Sequence, residues 1–153
     1  MCSRIIVRDA RYPSDTATQY ELGARRAPKG GTVPRYWLVG ASWGGTDHQD
    51  ARFVEQGIWM LGWEKGNQPT RASEMRAGDR IAIKRMKGKG KTGIRIMHLG
   101  VIRGVVLDTN KVICTVNWVA TDLKRDIAES RGCFQSIHGP FEHDVWIQEI
   151  FCL

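Results

Sequence analysis

Apolar positions in this chain run contiguously, at helical spacing or in alternation, and each change of period marks an expected element. Tyr36-Trp37-Leu38-Val39 is an unbroken apolar run closed by Gly40, the pattern of a buried strand. A helix is expected next: Asp47 is a suitable N-cap, Ala51, Phe53, Val54 and Gln56 continue at helical spacing, and Gly57 is the terminating glycine. Ile58–Leu61 reads as another short strand, and Arg71–Met75 as a helical turn. The tight turn Ala77-Gly78-Asp79 then launches Arg80–Lys84, where apolar and polar residues alternate.

Beyond a glycine-spaced loop, Lys87–Gly93, strand pattern resumes in Ile94-Arg95-Ile96 and in Leu99–Leu107, where Gly100 and Gly104 permit a bend or bulge. Asp108-Thr109-Asn110-Lys111 is a hairpin turn into Val112–Val119. After Pro140, the stretch Glu142–Phe151 carries Val145, Trp146, Glu149 and Ile150 at the spacing of an amphipathic helix packed on the sheet. The sum is five or six strands, mostly antiparallel and curved, with two main helices: a small α+β barrel or half-barrel.

Residues 1–33 fit this pattern poorly. They mix Arg4, Arg8, Arg11, Arg25, Arg26 and Lys29 with Pro13, Pro28 and Gly30-Gly31, and read as a loosely ordered basic arm or as a dispensable extension. The folded domain is expected over 34–153. With 153 residues, one hydrophobic core is the default. The longest apolar stretches fall far short of the roughly 20 residues of a membrane helix, and the start lacks a signal-peptide segment, so a cytoplasmic protein without membrane association is expected. Cys2, Cys114, Cys133 and Cys152 form no C-x-x-C pair, which favours reduced thiols over a disulfide framework or zinc.

Charge changes the picture more than composition does. Lys and Arg exceed Asp and Glu by 23 to 16, a formal +7, and favour a polyanionic partner. The excess is concentrated: Arg80, Lys84, Arg85, Lys87, Lys89, Lys91 and Arg95 follow one another with no acidic residue between them. From Lys84 to Arg95 the run reads as a loop that lays its cations along a phosphate backbone, or as a merely solvated hairpin. Lys89-Gly90-Lys91-Thr92 is not a nucleotide-binding P-loop, because Arg85 stands where the first glycine of that motif belongs.

Six tryptophans are available, and Trp43 lies in a polar, glycine-rich stretch with no evident core to fill. An indole at a pocket mouth stacks well on an extruded base. Trp118 and Trp146 are assigned to the core. For catalysis the chain offers no recognisable nucleophile motif, and Cys133, His138 and His143 match no common metal spacing. A hydrolase using Asp79 with His98 or His138 is the remaining enzymatic alternative; no cofactor is expected.

Two groups of residues carry a resemblance. Arg35–Ser42 followed after a helix by Gly57-Ile58-Trp59 looks like the opening of YTH and EVE domains of the PUA-like superfamily. With Gly44–Asp47, Phe53, Gly78–Lys84, Ser136–Pro140 and Trp146–Phe151 added, 35–153 resembles the N-terminal recognition domain of McrB-type AAA+ restriction proteins. The resemblance implies a non-catalytic reader that flips a modified base, methylated or hydroxymethylated cytosine or methyladenine, into an aromatic cage. Cleavage would be left to a separate AAA+ GTPase or nuclease effector. It implies Trp59 as a cage wall and Ser42 as a polar base contact; Trp43, Trp63 and Trp37 complete the candidate pocket, with Lys84, Arg85, Lys87, Lys89, Lys91 and Arg95 on the nucleic-acid backbone. DNA is favoured, and an RNA-binding module is the alternative.

Overall fold

The computed structural model describes residues 32–61, 66–108 and 111–153. The basic arm, Trp63 and the centre of the Asp108–Lys111 turn lie outside the described residues, apart from Thr32 and Val33 at the end of the arm. The elements are β1 (Tyr36–Val39), β2 (Ser42–Trp43), β3 (Asp47–His48), α1 (Asp50–Gln56), β4 (Ile58–Leu61), α2 (Gln68–Ser73), β5 (Arg80–Met86), β6 (Ile94–Asp108), β7 (Lys111–Ala120), β8 (Arg125–Ile127), β9 (Ile137–Phe141) and α3 (Val145–Phe151). The main sheet runs β4-β7-β6-β5-β1-β9, with β8 also paired to β6. It curls into a half-barrel of an α+β chain. Among the described strands only the central β1–β5 pair is parallel.

The unbroken apolar run of β1 follows from its place between β5 and β9. Trp37 and Val39 join Ile81, Ile83, Trp59, Phe53 and Ile102 in one core. Leu38 and Ala82, facing the other way, join Ile96, Leu99, Trp146, Ile147 and Ile150 in a second. Each face of a pleated strand receives alternate residues, so a strand covered on both sides must be apolar throughout. The curl arises in β6, whose pairing with β7 slips between Leu99 and Gly100 and again between Ile102 and Gly104. A Cβ on Gly100 would stand 2.5 Å from Val116 Cγ1, so the bend brings β7 closer than any side chain allows.

Several expectations are corrected. Helix α1 starts at Asp50 behind Gln49, and Asp47 is a strand residue with no capping role. The reason is the β2–β3 hairpin, turned at Gly44-Gly45, which returns the chain so that Gln49 N donates to Ala41 O at 2.6 Å. Gly57 ends α1 in the left-handed conformation, as its sequence position implies. At the C-terminus Asp144, whose side chain accepts from Ile147 N at 2.8 Å, starts α3 later than the periodicity does. Its buried face is Trp146, Ile147 and Ile150, with Val145 and Glu149 outside. There are seven strands in the main sheet and three helices among the described residues, more than the alternation reveals, since β8 and β9 have little of their own. Cys114 and Cys133 are free, but Cys152 is disulfide-bonded, which corrects the expectation of a reduced thiol there. Among the described residues no helix is long and apolar enough to cross a membrane.

Candidate nucleic-acid interface

Two segments flank the end of β5: the β2–β3 hairpin on one side and the turn 132–136 on the other. Between them lies an open cleft of about 640 Å³, inside the range of small-molecule sites, with Ser42, His48, Lys84, Arg85, Met86 and Phe134 among its lining. The turn is tied down. Cys133 N donates to Ser130 O, Phe134 N to Gly132 O, and Gln135 N to His138 Nε2 at 2.9 Å, while Gly40 N donates to Ser136 O at 2.7 Å. Phe134, at its apex, is 68 % exposed. Such a ring on a fixed turn is a stacking surface, and neither apolar periodicity nor any motif marks it in the sequence.

Lys84 is the unusual polar group. Its residue is 5 % exposed, its ammonium donates to Gln135 O at 2.9 Å, and among the described residues no carboxylate pairs with it. Burial pushes its pKa down from 10.5 to about 8, partly opposed by the Cys133 sulfur nearby. It does not grip a backbone from a surface loop, and that expectation is corrected. Arg85 is half-buried, its guanidinium 2.7 Å from Asp50. Asp50 also faces His98 Nε2 at 3.4 Å, while His98 Nδ1 accepts from Asp122 N at 3.1 Å, so the proton is assigned to Nε2. Burial lowers the His98 pKa, against the opposing pull of Asp50.

The cationic run is thereby divided. Arg95 makes two hydrogen bonds to Asp126, at 2.7 and 3.1 Å, and Lys87 lies 3.5 Å from the same carboxylate. The Arg95 hydrogen bond is the main reason why Asp126 is held down at about 2. Only Lys89 and Lys91, of the residues assigned to the backbone, are exposed and without an ion pair among the described residues.

The aromatic cage is corrected more sharply. Trp59 is 0 % exposed and its indole donates to Gly40 O at 2.9 Å, so it supports the cleft wall from inside the core and is not a wall open to a base. Trp37 is equally buried and donates to Asp79 at 2.9 Å. Trp43 is 38 % exposed but packs edge-on against Phe53, with ring centres 6.4 Å apart, and is not among the cleft residues. Trp146 is buried as expected, whereas Trp118 is only partly buried against the core. Ser42 does line the cleft, its Oγ 2.6 Å from His48 Nδ1. No protein-family model matches the chain, and a search of curated proteins returns no match.

The residues of the enzymatic alternative are occupied elsewhere. Asp79 accepts from the Arg35 and Trp37 side chains, both at 2.9 Å, and from two backbone amides, which ties β1 to the start of β5. The carboxylate beside His98 is that of Asp50. His138 is pushed down to about 4, first by burial and then by Lys84 and Arg71, and its Nε2 holds the 132–136 turn.

Proposed function

We propose that this chain is a non-catalytic, PUA-like reader of a modified base, which it takes from DNA into the cleft between the β2–β3 hairpin and the 132–136 turn. A separately encoded restriction-type effector would act on the result. The observation that carries the reading is the exposed Phe134 ring standing at the same cleft as buried Lys84 and half-buried Arg85. An aromatic platform beside cations suits a stacked base, and exposed Met86 in the same lining supplies apolar surface for an added methyl. Lys89 and Lys91, which follow Arg85 and Met86 along the chain, are available to the phosphates of the strand.

The test is a fluorescence-anisotropy titration of duplexes of one sequence, carrying a plain, methylated or hydroxymethylated cytosine or a methyladenine, beside the RNA of that sequence. One modified DNA is expected to bind tightest. Phe134→Ala should weaken that complex about tenfold to a hundredfold, the range of one lost base stack. Equal affinity for every DNA, a 5-carboxycytosine duplex included, removes the reading, and tighter binding of RNA transfers it to RNA.

A further inference from the structure

The end of β5 is irregular where it enters the cleft. Its register with β6 slips between Ile83 and Lys84: Ile83 pairs with His98 and Lys84 with Ile96, so Met97 has no opposite number. The extra residue belongs to β6, and the increased local twist at such a bulge carries the end of β5 with it. Both Lys84 and Arg85 line the cleft, although neighbours in a regular strand face opposite ways. Their environments differ. Arg85 has Asp50 as a counter-charge, whereas Lys84 has a carbonyl oxygen and no carboxylate among the described residues.

Charges around Lys84 do not supply what it lacks. The Cys133 thiol is kept neutral by burial, which pushes its pKa up, and the His138 ring is neutral near pH 7. Arg71 of α2 adds positive charge on the side of His138. A desolvated cation without a counter-charge is costly, and it favours an anion over a neutral acceptor. In an extruded nucleotide the phosphates stay with the strand, near the cleft mouth, so the group that reaches a buried side chain belongs to the base.

We infer that the base read in this cleft carries an acidic substituent, a carboxylate that pairs with Lys84. The inference rests on the base-reading function above and narrows it: a methyl or hydroxymethyl group would leave the ammonium uncompensated. A carboxylate forms a charge-assisted hydrogen bond, about twice as strong as a neutral one. Arg85 remains at the half-exposed position, held by Asp50, where the strand passes.

The experiment uses the full chain and four DNA duplexes that differ at one position: cytosine, 5-methylcytosine, 5-hydroxymethylcytosine and 5-carboxycytosine. At about pH 7 the carboxylated duplex is expected to bind about tenfold tighter than the methylated one, the effect of one charged pair. Lys84→Met should erase that advantage. In the unmutated protein the advantage should also shrink between about pH 7 and 9.5 as the ammonium loses its proton, because the carboxylate stays ionised throughout. This arm needs no folded variant. Methylated or hydroxymethylated DNA bound as tightly as carboxylated DNA overturns the inference and leaves the reader standing, as does a Lys84→Met protein that keeps the carboxyl preference. Equal affinity for all four duplexes overturns both.

Discussion

Lys84 shows how one residue can oppose stability. Its pKa falls from 10.5 to about 8 on folding, chiefly through burial. Below about pH 8 both folded and unfolded chains hold the proton, and the folded state bears the full desolvation cost. Between about pH 8 and 10.5 the unfolded chain holds a proton that the folded chain has lost, so this group's contribution to stability rises with pH. The shift corresponds to about 3 kcal/mol. Lys84→Met should therefore melt higher than the unmutated protein at pH 7, with the gain shrinking towards pH 10, as read by thermal denaturation monitored by circular dichroism. A variant less stable than the parent at pH 7 would mean that the ammonium is already compensated. Trp59 makes the opposite point. Its Gly-Ile-Trp setting resembles a cage motif, yet its indole N–H is used within the core by Gly40 O.

At the scale of elements, the loop between β5 and β6 contains glycines with different duties. Gly90 has φ +76° and open space where a Cβ would stand, whereas a Cβ on Gly93, at φ +81°, would lie 2.2 Å from Ile127 O and 2.8 Å from Ala128 O. Gly90→Ala should cost about 1–2 kcal/mol, the left-handed penalty alone. Gly93→Ala should cost more, because the obstructing carbonyls belong to β8 and the turn after it, and the β6–β8 pairing must shift to relieve them. Urea midpoints for the two variants provide the comparison; equal losses would show that the β8 side yields freely. The same pairing sets Arg95 opposite Asp126, and so determines which cations remain available.

Across the whole molecule, a formal +7 overstates the charge presented beside the cleft. Asp126 takes up Arg95 and Lys87, Asp50 takes up Arg85, and Lys84 is buried. Of the cations assigned to the backbone, Lys89 and Lys91 are left among the described residues for the phosphate contacts that the proposed function requires. Replacing both by Gln should lower the slope of log affinity against log salt by about 2, whereas Arg95→Gln should leave the slope nearly unchanged. Anisotropy titrations over a series of salt concentrations measure both. An equal drop for Arg95→Gln would show that its pair with Asp126 opens on binding.

Much of the architecture was legible in the chain. The apolar run of β1, the alternation of β5, the glycine that ends α1 and the kinks at Gly100 and Gly104 are local signals. They depend on residues a few positions apart, and so they determine element type and the α+β class. The β2–β3 hairpin and β8 escaped because two or three residues are too few to show a pattern, and β9 because Gly139 and Pro140 interrupt its Ile-His-Gly-Pro-Phe stretch. The site was less legible than the fold. Which cation has a counter-charge, which indole is sealed and which ring is exposed are decided by partners distant in sequence: Asp126 for Arg95, Gln135 for Lys84, Gly40 for Trp59. Charge and aromatic content suggested a chain that could grip and stack, but only tertiary structure decides that the ring exposed at the cleft is Phe134, because burial is a property of the packed chain and not of any one segment of it.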